Sequence, residues 1–368
     1  MEIDPGTFAK LTSCLLLLCL SFSVGVAAEK PAATGMEAGI AAKFPNDVDI
    51  AKHPSVLLVE DFEQGDLGRL KPNWTSVSGE KDGALALDKE VQPPGLPGGT
   101  ALRVTATKGR NEGGYLYKLL PQGHDELFAR MYVRFDEKYG FNHHFCKLGG
   151  DKNAKAWPVG RAGIKPDVYF STGIEPATTL AHAYPGKVYP PPGFWNFYTY
   201  WPEMRSWQTE SGASNGQPNA YYGNVFAPAD PQPILRGVWI CVEWSVKLNS
   251  AADKSDGSQR FWIDGKLVGE WSPGTPLGYW MRDKFRIRPD EPGRQKPFEG
   301  FRWRTDMGVK LNVFKIENYV SERSFEHSAE YARQHPEFAI DTEKATVWFD
   351  HIVLATSYIG PMNSEKKP

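Results

Sequence analysis

Nine consecutive residues, Leu127 to Phe135, set two arginines and two aromatic rings on one side of an extended chain. Leu127, Ala129, Met131, Val133 and Phe135 alternate with Phe128, Arg130, Tyr132 and Arg134, and a strand sends successive side chains to opposite faces. The first set fits a core. The second joins guanidinium groups, which make paired hydrogen bonds to carboxylates, to rings that offer flat apolar area and, in tyrosine, a polar tip. That combination suits an acidic sugar, so Arg130, Tyr132 and Arg134 are candidate substrate-binding residues. The same pattern fits a structural strand whose arginines pair with acidic neighbours on adjacent strands.

A second alternating stretch, Phe194 to Trp201, sets Asn196, Tyr198 and Tyr200 opposite Trp195, Phe197 and Trp201. Tyrosine hydroxyls can give or take a proton in a reaction, which makes Tyr198, Tyr200 and, further on, Tyr222 catalytic candidates and Asn196 a candidate binding residue. Packing is the alternative role for each ring. Other chemistries lack their signatures: the chain has no His-Glu-x-x-His, no Walker loop and no Gly-x-Ser-x-Gly. It also lacks the Glu-x-Asp-x-x-Glu strand by which sandwich-fold retaining glycosidases hold two carboxylates about 5 Å apart. His53, His124, His182, His327, His335 and His351 show no ligand spacing.

The elements that must position these groups are strands. Residues 56–62, 101–106, 115–120, 127–135, 238–248, 259–263, 266–271, 309–316 and 345–355 each read as one. Asp264-Gly265 marks a two-residue hairpin, because its turn needs positive φ. The one helix expected is a surface piece over 322–335, stopped before Pro336. Between Gly149 and Arg236 the composition shifts to Pro, Gly, Asn and aromatics. Loops this long usually serve a site, so the sequence predicts them around the mouth of a cleft.

Residues 11–26 form an apolar run too short for a comfortable membrane span, followed by Ala27-Ala28. The expected organisation is a signal peptide over 1–28, a flexible leader over 29–54, one elaborated all-β domain over 55–360 and a C-terminal tail over 361–368, with a split near residue 236 as the alternative. The product would be secreted or periplasmic and monomeric, with no membrane contact after signal removal. Removal would leave Cys146 and Cys241 of the four cysteines, hence one disulfide or none. A formal charge of -2 provides no global field for nucleic acid. The densest basic stretch, residues 282–304, is diluted by Asp283, Asp290, Glu291 and Glu299.

Several blocks together resemble a known family. Glu60-Asp61-Phe62-Glu63-Gln64-Gly65, residues 98–104, residues 128–135 followed by Asn142-His143, residues 239–243 leading to Trp262-Ile263-Asp264-Gly265, and Val347-Trp348-Phe349-Asp350 are similar to the secreted concanavalin-like jelly-roll proteins related to glucuronan lyase and to cellulose-induced, lyase-like fungal proteins. The resemblance implies a sandwich of two antiparallel sheets with long loops around a concave cleft. It implies cleavage of an acidic, uronate-containing polysaccharide by β-elimination, or carbohydrate binding without catalysis. His143 matches the family's active-site histidine, with Lys147 on the same strand parity as a binding residue. Arg161 resembles a family arginine and would meet the uronate carboxylate. Glu63 and Asp350 match the carboxylates of a structural calcium site joining the first and last strands, and hard oxygen ligands suit that ion.

Overall fold

Period-two patterning dominates the chain, and strands dominate the fold. The computed structural model describes residues 38–95, 97–177 and 189–363. The expected signal peptide and residues 29–37 lie outside the described residues. In chain order the strands are β1 (Val56–Glu60), β2 (Ser76–Ser78), β3 (Leu85–Asp88), β4 (Ala101–Thr107), β5 (Gly113–His124), β6 (Glu126–Phe135), β7 (Cys146–Asp151), β8 (Tyr169–Pro176), β9 (Trp195–Tyr200), β10 (Asn224–Phe226), β11 (Trp239–Lys247), β12 (Ser258–Ile263), β13 (Lys266–Trp271), β14 (Leu277–Met281), β15 (Lys284–Arg286), β16 (Lys296–Pro297), β17 (Leu311–Tyr319) and β18 (Lys344–Ala355). Helix α1 (Glu322–Gln334) joins β17 to β18. Among the described residues no helix is long and apolar enough to cross a membrane.

Two sheets result. The eight-stranded sheet runs β13-β12-β11-β6-β18-β4-β3, with β1 also on β18. The ten-stranded sheet runs β16-β14-β15-β10-β9-β8-β7-β17-β5-β2 and is antiparallel except where β10 meets β15. One large core unites them. Leu127, Ala129, Met131, Val133 and Phe135 of β6 and Val242, Trp244 and Val246 of β11 share it with Cys146 and Leu148 of β7, Ile174 of β8, Phe197 of β9 and Phe314 and Ile316 of β17. The turn between β12 and β13 has Asp264 at φ 47° and Gly265 at φ 76°, as the Asp-Gly signal requires.

The alternation in β6 sorts its side chains as expected, but its polar face is covered by the chain ends instead of lining a cleft. Residues 38–53, expected as leader, form three short 3-10 turns. Ile40, Ala41 and Ile50 pack with Phe128, Val353, Ala355 and Ile359 on the outside of the eight-stranded sheet. Arg130 is fully buried there and forms a two-point ion pair with Asp47. The Tyr132 hydroxyl accepts the Met362 N–H at 2.9 Å, and Glu243 of β11 accepts the Ile359 and Gly360 N–H groups at 2.8 Å each. Arg134 lies on the same face, 3.9 Å from Glu137. Arg130, Tyr132 and Arg134 therefore sit away from any sugar cleft on the opposite sheet. Arg130 and Tyr132 of β6 are met by residues 47 and 362, whose approach no local pattern announces. Cys146 and Cys241 belong to different sheets and are both free, buried thiols.

Candidate functional site

On the ten-stranded sheet, the side chains that alternate with the core residues turn outward. Those of β5, β7, β8, β9 and β17 line a cleft of about 440 Å³ whose floor includes Gly149 and Gly173 and whose walls carry Tyr115, Tyr117, Tyr169, Tyr198, Tyr200 and Tyr319. Residues 155–162 form one side of it. Its charges are mixed, Lys147, Lys155, Arg161 and Lys315 facing Asp151, Glu175 and Glu317.

At one end stands His144. Backbone hydrogen bonds hold its segment, since the His143 N–H donates to the Tyr319 carbonyl at 2.8 Å and the Tyr319 N–H to the His144 carbonyl at 3.1 Å. Helix α1 braces the approach, as Ser328 Oγ accepts the Phe141 N–H at 2.9 Å. Nδ1 of His144 lies 2.8 Å from Oε1 of Glu175 on β8. Its ring is flanked by Tyr198 and Tyr319, centroids 5.5 and 5.9 Å away. His143 occupies the rim, exposed, with its ring 5.0 Å from that of Tyr319. Packed surroundings and then His144 lower the proton affinity of His143, against the pull of Glu175 and Glu317.

Beside this pair, Glu317 receives two lysines. Lys147 Nζ lies 3.4 Å from its Oε1, and Lys315 Nζ donates to its Oε2. Desolvation opposes all three charges, and mutual attraction decides between them. Glu317 stays below the usual carboxylate range, and Lys147 rises above the usual lysine range through Glu317 and Glu175. Burial dominates at Lys315, which also sees Lys147, and brings it down to about 8. Tyr198 and Tyr200 are both raised, chiefly by desolvation, so each is a neutral phenol able to donate a proton. Across the cleft Arg161 pairs with Asp151 and lies 4.2 Å over the Tyr169 ring.

The cleft thus gathers four expected residues, Lys147, Arg161, Tyr198 and Tyr200, with His143 at its edge. Asn196 is buried beside it, its Nδ2 donating to the Glu175 carbonyl at 2.9 Å. Tyr222 is 38% exposed and does not line the cleft. The sequence favours a structural role for His144 beside His143, and it passes over Glu175, Lys315 and Glu317. For the last two a signal existed, because Val313, Lys315, Glu317 and Tyr319 continue the alternation beyond residue 316 as a second polar face. His144 could not be chosen over His143 by parity, since Asn142 to Phe145 is irregular before β7 begins.

Glu63 and Asp350 do approach electrostatically. Asp350 is fully buried, Oδ2 has no hydrogen-bond partner among the described residues, and burial followed by Glu63, Asp61 and Glu60 pushes its carboxyl up to about 9. Glu60 is committed to Asn73, Trp74 and Gln64, and Glu63 Oε1 accepts the Thr100 N–H at 2.6 Å. Among the described residues no three His, Cys, Asp or Glu side chains close on a common point.

No family model and no curated relative matches the chain. Among solved structures it is similar to the marine PL-14 alginate lyase from Aplysia kurodai, at 13% identity over 83% of this chain and 100% of that one, with a TM-score of 0.51. It is also similar to alginate lyase vAL-1 from Chlorella virus, at 12% identity over 82% and 99% of the two chains and a TM-score of 0.48. The endo-β-1,4-glucuronan lyase from the fungus Trichoderma reesei gives 16% identity over 82% and 96%, with a TM-score of 0.44. The Aplysia match carries the fold: this chain is a β-jelly-roll sandwich related at the level of fold to a polysaccharide lyase.

Proposed function

We propose that the protein cleaves a uronate-containing polysaccharide by β-elimination in the cleft of the ten-stranded sheet. The observation that carries this is the meeting of His144–Glu175 with neutral Tyr198 and Tyr200 and the Lys147–Glu317–Lys315 cluster on one polar face. Elimination requires the uronate carboxylate to be neutralised, the C5 proton removed and the leaving oxygen protonated. Lys147 and Lys315 meet the carboxylate of the unit being cleaved, and Arg161, across the cleft, is left for a neighbouring unit. Glu175 accepts the Nδ1 proton of His144, which leaves Nε2 free as base and supports the imidazolium that forms. Tyr198 or Tyr200 protonates the leaving oxygen. His144 takes the proton-transfer role that the family resemblance assigned to His143.

Elimination creates a conjugated unsaturated uronate that absorbs in the near ultraviolet. A panel of glucuronan, alginate, pectate and glycosaminoglycans should yield that chromophore with at least one polymer. A second reading, carbohydrate binding without catalysis, is favoured by one feature: Lys147, Lys315 and Arg161 already face carboxylates of the protein, so a uronate must compete for them. Retention of a polymer with no chromophore from any would establish that reading instead.

We also propose a structural calcium ion held by Glu63 and Asp350. The unpartnered Asp350 Oδ2, with the Glu63 and Asp61 carboxylates acting on it, supplies hard oxygen of the kind calcium requires. Bound there, the ion supplies a positive charge that ties the chain just after β1 to β18.

A further inference from the structure

Residues 155–161 arch over one side of the cleft and are fixed at both feet. The Tyr117 hydroxyl donates to the Lys155 carbonyl at 3.2 Å. At the other foot Arg161 pairs with Asp151 and stacks on Tyr169, and the Gly163 N–H donates to the Tyr221 carbonyl at 2.6 Å. Between these anchors stands Trp157. It lines the cleft, yet it is 58% exposed and has no hydrogen-bond or ring partner among the described residues. The contrast with Trp195, Trp244, Trp271 and Trp303, all buried in the core, is sharp. An indole left in water between two anchored backbone points leaves apolar area unburied.

We infer that Trp157 is a sugar-stacking subsite, taking the apolar face of one hexuronate ring of the polymer while Lys155 and Arg161 meet that ring's carboxylate. The occupant follows from continuity with the cleft and from charge: the arch brings one aromatic ring and two cations to the same wall. The cleft floor includes Gly149, whose cross-strand neighbours are Ser171 and Val313, so a ring can lie against the sheet there without meeting a large side chain, whereas Gly173 is flanked by Lys147 and Tyr198. The subsite extends the proposed polysaccharide reading, because it binds a unit of the same chain away from His144 and serves affinity, not proton transfer.

The test compares wild type with Trp157→Ala and Trp157→Phe against glucuronan, alginate, pectate and glycosaminoglycans, using ultraviolet kinetics and affinity electrophoresis in gels containing each polymer. Trp157→Ala should raise KM roughly threefold to tenfold, the equivalent of about one stacked ring, with turnover at saturation far less affected, and Trp157→Phe should recover most of the loss. Unchanged KM and unchanged retardation in Trp157→Ala, with a polymer that wild type cleaves or retains, would overturn the subsite while leaving the cleft's assignment intact. Retardation lost in Trp157→Ala with no chromophore from any polymer would uphold the subsite and remove the lyase reading. Wild-type protein that neither cleaves nor is retarded by any of the four would overturn the subsite.

Discussion

Nδ1 of His144 sits 2.8 Å from Oε1 of Glu175, a carboxylate from the neighbouring strand of the same polar face. The contact fixes the ring's tautomer and aims the opposite nitrogen away from its partner. If this pair moves the proton, His144→Ala should cut turnover by about a hundredfold to ten-thousandfold, the usual contribution of a general acid or base. His143→Ala should cost less than about tenfold, because His143 lies exposed at the rim. Initial rates of chromophore formation for the two variants decide between the adjacent histidines, and the reverse order would return the role to His143.

Lys315 supplies a pH signature. Burial, reinforced by Lys147 and opposed by Glu317, lowers it to about 8, so its ammonium is present below that pH and lost above it. Affinity for a uronate polymer should fall as pH rises through about 8. Arginine keeps its charge across this range, so Lys315→Arg should move that limb to higher pH. A KM that stays flat from pH 7 to 9.5 in wild type would separate Lys315 from substrate binding.

Much of the fold was legible because alternation is a local property. Residues 127–135, 259–263 and 266–271 read as strands and are strands, and the predicted helix over 322–335 forms as Glu322–Gln334. The site was half legible. Tyr198 and Tyr200 alternate against core aromatics, which marks them, but alternation alone does not say what covers the polar side. In β9 that side is a cleft. In β6 it is the packed chain ends, so the arginine-aromatic face that looked most like a recognition surface became a buried ion pair with Asp47, a residue 83 positions away. Glu175 and Glu317 come together with Lys147 only through sheet order, β8 and β17 flanking β7, and sequence spacing carries no trace of that.

Arg130 should accordingly behave as a structural residue. Removing one member of a buried ion pair leaves the other charge unpaired, at a cost of about 3–5 kcal/mol. Arg130→Ala should lower the denaturation midpoint markedly, with Asp47→Ala close behind, while the folded fraction keeps the wild-type KM because Arg130 lies on the eight-stranded sheet and the cleft on the other. Equilibrium unfolding paired with kinetics on folded protein checks both halves. A raised KM with unchanged stability would restore Arg130 to substrate binding.

Asp350 gives the calcium proposal a sign that can be measured. In metal-free protein burial and the neighbouring carboxylates raise its carboxyl from 3.8 to about 9, so between those values the folded state retains a proton that the unfolded chain has released. Stability must then fall as pH rises through that window. Glu243, raised to about 7 by burial, adds a similar slope below pH 7, so the comparison is cleanest above it. Asp350→Asn, which cannot ionise, should flatten the slope between pH 7 and 8.5 in the presence of chelator. Calcium should raise the melting temperature of wild type by mass action, more at pH 8.5 than at pH 6, because the ion requires the ionised carboxylate. Asp350→Asn should lose most of that response. Equal melting of wild type with chelator and with millimolar calcium at pH 8.5 would remove the ion from Glu63 and Asp350.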